Sequence, residues 1–221
     1  MKIRTVAISD LITKEKWRAN LHVHEDSEIK SEKFNIIPLS EVVTESNVAK
    51  DPSEMGSDGF YYIGLEHVEP TIGEPQGIMI TESDQVRSRS KLFVEGDILY
   101  GRLRPYLRKA LYVEQPYTRG LCSTEFIVLK AKTDLILPLF LREILVSDPI
   151  TELVTRLQTG AALPRVSSKD LLSICIPIPP LKFQEECVAK IERSRKQRRE
   201  LLSKANTLAN EQQKIILEVF S

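Results

Sequence analysis

No stretch of this chain approaches the ~20 consecutive apolar residues that a membrane-spanning helix needs, so no helical membrane anchor is expected. The N-terminus, Met1-Lys2-Ile3-Arg4, lacks the apolar run and small-residue cleavage site of a signal peptide, and a cytoplasmic location is the expectation. Cysteine is scarce. Cys122, Cys175 and Cys187 form an odd, scattered set without C-x-x-C spacing, which argues against a disulfide framework and against a zinc site. His22 and His24 share a face if their segment is a strand, yet no carboxylate or cysteine set completes a metal site around them. The sequence has no P-loop and no Gly-x-Gly-x-x-Gly fingerprint. It also lacks an Asn/Asp-Pro-Pro-Tyr/Phe motif of the amino-methyltransferase kind and an Asp…Glu-x-Lys nuclease pattern. These absences leave no place for S-adenosylmethionine, ATP or a catalytic metal, so a non-catalytic chain is expected.

What is present describes an ordinary globular chain. Its 221 residues suffice for one large domain, or one domain plus an appendage, with a real core. Hydrophobic residues make up 42% and charged residues 28%, which excludes a disordered chain. Net charge is zero, which by itself argues mildly against nucleic-acid binding. The distribution is uneven, however. Residues 1–60 are acid-heavy, while 87–109 and 182–204 are base-heavy, an arrangement suited to one basic face and a different partner elsewhere.

Along the chain, Val6-Ala7-Ile8 reads as a short strand, and Ser9-Asp10 as the cap of a helix running through Trp17. Asn35 to Val43 reads as a strand or a turn into the next element. Turn formers at Asn47, Asp51-Pro52, Gly56 and Asp58-Gly59 predict a loop over 44–59. Strands are expected at Phe60–Ile63, Ile78–Ile80, Leu111–Val113 and Phe126–Leu129. Lys91 to Tyr100 is expected as strand, Gly-Asp turn, strand. Residues 36–130 are therefore a series of short strands. Between Pro138 and Arg156 the apolar spacing fits two short helices, the second starting near Pro149. Thr159–Ala162 is a loop, Ser168-Lys169-Asp170 caps a short turn, and Ile174–Pro180 is a strand that proline ends or confines to an edge. From Lys182 to Phe220 there is neither glycine nor proline. Cys187, Ile191, Ser194, Leu201, Ala205, Leu208, Ile215 and Val219 recur at three-and-four spacing, the seam of a coiled coil, with Arg198 and Gln212 as polar interruptions.

Four segments carry candidate chemistry. Gly101 to Lys109 holds Arg102, Arg104, Arg108 and Lys109 beside Tyr100 and Tyr106, with Pro105 forcing a bend. Arginine presents a planar fork that matches phosphate oxygens or guanine O6 and N7; a solvated basic loop is the plain alternative. Gly120 to Phe126 places Cys122 beside Ser123 and Thr124. With only His67 as a base outside the N-terminal segment, backbone or phosphate contact fits better than a nucleophile. The Thr159–Ser168 loop offers Thr159, Gly160, Arg165 and Ser167 to a nucleic-acid backbone, or is a capping loop. Arg193, Arg195, Lys196, Arg198 and Arg199 read as a solvated coiled-coil surface, with an auxiliary DNA or subunit contact as the sharper reading.

The order of these motifs resembles the specificity subunits of type I restriction-modification systems, over roughly residues 36–220. The motifs are Gly96-Asp97-Ile98-Leu99-Tyr100, then Arg102-x-Arg104-Pro105-Tyr106-Leu107-x-Lys109, then Cys122-Ser123-Thr124-Glu125-Phe126. Thr159-Gly160 through Pro164-Arg165-Val166-Ser167 follows, and last Ile176-Pro177-Ile178-Pro179-Pro180-Leu181-x-x-Gln184. The resemblance implies an α+β fold: a target-recognition domain of short twisted strands with a few helices over 1–180, its first 36 residues divergent, then a long coiled-coil helix over 181–221. It implies a non-catalytic subunit that reads one half of a split DNA site. Its partners would be double-stranded DNA, adenine-methyltransferase subunits and restriction or translocase subunits, with S-adenosylmethionine, ATP and Mg carried only by those partners. Family members carry two recognition domains and two helices that pack antiparallel, whereas this chain has one of each. It therefore resembles a half subunit that pairs with a second copy or another half through Cys187, Ile191, Leu201, Ala205, Leu208, Ile215 and Val219, or else a piece of a longer chain. The expected DNA contacts are Lys91, Tyr100, Arg102, Arg104, Tyr106, Arg108, Lys109, Ser123, Thr124, Thr159, Gly160, Arg165 and Ser167. A coiled-coil adaptor without DNA binding, and a DNA enzyme with an unrecognised site, are the competing classes.

Overall fold

A computed structural model describes residues 29–56, 59–86, 88–217 and 219–220. The strand read at Val6–Ile8, the helix through Trp17, and His22 and His24 lie outside the described residues. The chain divides into two compact units, Met1–Pro179 and Pro180–Ser221.

The first unit is α+β. Its strands are β1 (Asn35–Pro38), β2 (Val43–Ser46), β3 (Ala49–Lys50), β4 (Phe60–Ile63), β5 (Ile80–Thr81) and β6 (Ser90–Val94). They continue as β7 (Ile98–Gly101), β8 (Ala110–Tyr112), β9 (Arg119–Cys122), β10 (Phe126–Ala131) and β11 (Cys175–Ile178). Among the described residues its α-helices are α1 (Leu39–Val42), α2 (Pro138–Leu145), α3 (Asp148–Leu157) and α4 (Ser168–Leu172). An antiparallel four-stranded sheet runs β2-β10-β7-β8, and a five-stranded sheet runs β3-β6-β9-β4-β5 with β4 and β9 parallel. β1 and β11 pair separately, Asn35 opposite Ile178. Pro177 therefore sits in a two-stranded ribbon, where its missing donor interrupts no central ladder.

The four-stranded sheet is the middle layer. Along each strand, side chains alternate between its faces. Ile98, Tyr100, Ala110, Ile127 and Leu129 join one core with Leu141, Leu145, Ile150 and Val154 of α2 and α3. Leu99, Leu111, Phe126 and Val128 join a second core with Ile63, Phe93 and Cys122 of the five-stranded sheet. Burial on both faces explains why β7 and β10 read as unbroken apolar runs rather than alternating ones. Between β6 and β7, Gly96 takes φ +87°, and the Asp97 carboxylate accepts the Val94 backbone N–H at 2.9 Å and a hydrogen bond from Lys130 at 2.8 Å. That is the Gly-Asp turn expected from the sequence.

One expectation needs correction. The stretch 44–59 is not simply a loop: it continues β2 to Ser46 and contains β3 and a 3-10 turn at Pro52–Met55, capped by Asp51. Gly120 sits inside β9, where a Cβ would stand 2.2 Å from the Tyr61 carbonyl and 2.6 Å from the Phe93 ring. The glycine is there because a strand packs too closely for a side chain, a reason invisible in the sequence.

The second unit is the helix α5, Leu181–Leu217, 37 residues and ~55 Å long at 1.5 Å per residue. Val219 falls beyond its last turn, with its N–H donating to the Ile216 carbonyl at 3.0 Å. From Arg199 to Leu217 every residue is solvent-exposed, including Leu201, Leu208 and Ile215, which are 59%, 61% and 62% exposed and stand seven residues apart. No helix among the described residues is long and apolar enough to cross a membrane.

Candidate nucleic-acid interface

Three segments far apart in sequence lie side by side at one edge of the first unit. The loop after β7 contributes 102–109, the β9–β10 turn contributes 123–125, and the segment between α3 and α4 contributes 159–167. Backbone hydrogen bonds, including isolated bridges of Arg165 with Leu103 and with Thr159, tie them together. Arg102 donates its N–H to the Glu125 carbonyl at 2.9 Å, and Val166 donates to the Arg102 carbonyl at 3.1 Å. Arg104 donates to Pro164 at 2.7 Å, and Thr159 and Arg165 exchange N–H bonds at 2.7 and 2.8 Å. Three of the sequence motifs thus form one surface.

Side chains reinforce the same seam. The Arg165 Nε donates to both Glu125 carboxylate oxygens at 3.0 Å, Nη2 donates to Oε1 at 2.6 Å, and Nη1 donates to the Leu163 carbonyl at 3.2 Å. Bonds from Arg165 hold the Glu125 carboxyl below the usual carboxylate range against a smaller opposing desolvation, with charges on Arg165 and Arg102 adding to the effect. The Arg102 side chain is half-buried beside this pair, and its Nε has no hydrogen-bond partner among the described residues.

The cations differ sharply in availability. Arg108 pairs with Asp148 in the first turn of α3 at 2.5 Å, and Lys109 donates to the Leu65 carbonyl at 2.6 Å. Lys91 lies 3.5 Å from Glu45, whose carboxylate also accepts from Ser168 at 2.9 Å. Arg104 is exposed and its guanidinium has no partner among the described residues. Its backbone is left-handed, φ +48°, as is that of Arg108 at φ +54°, on either side of the 3-10 turn Pro105–Leu107. A non-glycine residue in that region is uncommon and costs about 1–2 kcal/mol. The hydrogen bond to Pro164 and the proline-led turn hold it there. Tyr106, 47% exposed, and Thr124, Thr159 and Gly160, all exposed, complete the solvent-facing set.

Several expected contacts are engaged within the fold. Tyr100 is 2% exposed and points into the helix-side core, where burial raises its phenol above the ordinary value. The alternation of β7 turns it inward, so it is withdrawn from the surface. Ser167 is the N-cap of α4: its hydroxyl accepts the Asp170 N–H at 3.1 Å and donates to the Asp170 carboxylate at 2.7 Å. Ser123 closes the β9–β10 turn, accepting from the Glu125 N–H at 3.2 Å. Cys122 is fully buried and its thiol is pushed up to about 12 by burial, which leaves almost no thiolate for nucleophilic chemistry. His67 accepts the Gly64 N–H on Nδ1 at 3.0 Å as part of a turn. No cluster of three or more His, Cys, Asp or Glu residues suited to a metal occurs among the described residues. Glu125 and Asp148, which decide which cations are free, were not singled out from the sequence; Glu125 stood only within the Cys122–Phe126 motif.

Comparison with known proteins finds relatives of this chain. The chain is 29% identical over 131 residues to the Type I restriction enzyme EcoDI specificity subunit of Escherichia coli, covering 59% of this chain and 28% of that protein. It is 28% identical over 99 residues to the HindI specificity subunit of Haemophilus influenzae, covering 43% and 21%. The crystal structure of the HsdS subunit from Thermoanaerobacter tengcongensis superposes with a TM-score of 0.66 at 29% identity, over 77% of this chain and 44% of that one. The chain thus spans less than half the length of each of these relatives. Residues 29–216 match the family described as Type I restriction modification DNA specificity domain, and the chain belongs to that family.

Proposed function

We propose that this chain is a DNA-reading module of a type I restriction-modification system, contacting one half of a bipartite site and performing no chemistry itself. The observation that carries the reading is the convergence of three loops that leaves Arg104, Tyr106, Thr124 and Thr159 solvent-facing on one surface. Arg104 is the principal contact, since an exposed guanidinium without a partner among the described residues can fork onto guanine or phosphate. Thr124, Thr159, Gly160 and Tyr106 position the backbone. Arg102, Arg108, Lys109 and Arg165 set the loop's shape and potential, and Lys91, Ser123 and Ser167 support the frame through their bonds to Glu45, Glu125 and Asp170. Family membership favours this reading over a DNA-free adaptor.

Residues 1–180 form the recognition domain in this reading, with 1–36 its divergent segment, and 181–221 the spacer and dimerisation helix. Support for the helix's role is the exposed Leu201-Leu208-Ile215 row, at the heptad spacing that buries against another helix. The partner is a second copy or another half subunit, and a two-fold pair reads a palindromic, gapped site. Adenine-methyltransferase and restriction or translocase subunits complete the complex in the cytoplasm. They, not this chain, hold S-adenosylmethionine, ATP and Mg.

The test is binding of labelled duplex DNA by Arg102→Ala/Arg104→Ala. Sequence-specific binding is lost while the unfolding temperature is kept. Unchanged affinity for the preferred sequence would remove the assignment.

A further inference from the structure

We infer that Glu125 is a specificity-determining positioning residue: its carboxylate, held in the Arg165 fork, sets the register between the Arg104 loop and the 159–167 segment. The inference rests on the DNA-reading function proposed above. It concerns an acidic residue at a surface meant for a polyanion, where a carboxylate otherwise only repels.

The geometry assigns the carboxylate to a structural task that needs charge. Glu125 touches both neighbours of the seam: its backbone carbonyl accepts from Arg102, and its side chain takes three hydrogen bonds from Arg165. Arg165 in turn carries the backbone exchange with Thr159 and sits opposite Leu103. Moving Glu125 therefore moves the bases of both exposed loops at once. The Arg165 guanidinium spends four of its contacts inward, three on Glu125 and one on the Leu163 carbonyl, so it serves the seam rather than a ligand. Arg104, anchored to Pro164 one residue from Arg165, is the group whose aim this fork decides. The opposite view treats Glu125 as a competitor that occupies Arg165 until a phosphate displaces it. The two views predict opposite signs.

The experiment compares wild type, Glu125→Gln and Arg165→Lys. Arg165→Lys keeps the charge and loses the fork. In the free protein, amide hydrogen exchange over 159–167 is expected to quicken about tenfold in both variants, the size expected for a lost charge-assisted hydrogen bond. DNA is then presented as a duplex pool randomised at its centre and as the sequence the wild type enriches from that pool. Glu125→Gln removes a negative charge, so its affinity for the unselected pool is equal or higher. Its preference for the enriched sequence is expected to fall about tenfold. Arg165→Lys loses the same preference with the charge unchanged. A tighter grip on the enriched sequence by Glu125→Gln would establish the competitor view and overturn ours. Unaltered preference and exchange would overturn it as well. If the wild type enriches no sequence, the DNA-reading proposal falls and takes the specificity role with it, while the exchange measurement still reports on the seam.

Discussion

Cations only 1 to 7 residues apart in the 102–109 loop do different work because their partners differ. Arg108 is tied to Asp148, an exposed carboxylate, and such pairs contribute about 0–1 kcal/mol, so Arg108→Ala is expected to leave thermal stability nearly intact. Tyr100 is the reverse case. Tyr100→Ala opens a cavity between the middle sheet and α2–α3 and is expected to cost about 3–5 kcal/mol in denaturant unfolding, whereas Tyr100→Phe leaves DNA binding unchanged. Loss of binding in the folded Tyr100→Phe protein would return that hydroxyl to the site. The Glu125–Arg165 fork also has a definite pH signature. The folded-state pKa of Glu125 is depressed, so its stabilising effect is complete above the ordinary carboxylate value and is lost as pH falls through the depressed one. Order in the 159–167 loop, followed by NMR, is therefore expected to be flat through neutral pH and to fall only in acid below the ordinary carboxylate range.

Among the elements, the short strands at Phe60–Ile63, Ile98–Gly101 and Phe126–Ala131 and the helix start near Pro149 were legible because each carries a local signal: β-branched and aromatic runs, or proline in a first turn. What escaped depends on contacts across the chain. The parallel pairing of β4 with β9 joins Tyr61 to Gly120, and no local pattern announces it. Which cations stay free was illegible for the same reason: Lys109 is claimed by a carbonyl at Leu65, and Arg165 by a carboxylate 40 residues away. The helix α5 was legible almost whole, since absence of glycine and proline and a heptad row are both local; of the seam residues named from the sequence only Val219 fell outside it. For the pairing of two copies proposed above, Leu208→Glu with Ile215→Glu is expected to halve the mass seen by light scattering without shifting the unfolding of the first unit. A mass unaffected by these charges would remove the helix row from the pairing surface.

For the molecule as a whole, overall neutrality hides a division between an acid-heavy N-terminal stretch and base-heavy segments at 87–109 and 182–204. DNA affinity carried by a few exposed cations weakens with salt, and it becomes selective only when their forks are aimed by a fixed frame. The convergence of three loops and the exposed Arg104, without a side-chain partner among the described residues, both bear on that one point. The most direct test is selection from a randomised duplex pool by the purified chain, alone and with a companion methyltransferase subunit, beside Arg104→Ala under the same conditions. Wild type is predicted to enrich one defined sequence, with affinity falling steeply as salt rises, and Arg104→Ala to enrich none. A wild-type chain that enriches nothing in either setting, or an Arg104→Ala chain that enriches the same sequence equally well, would contradict the account.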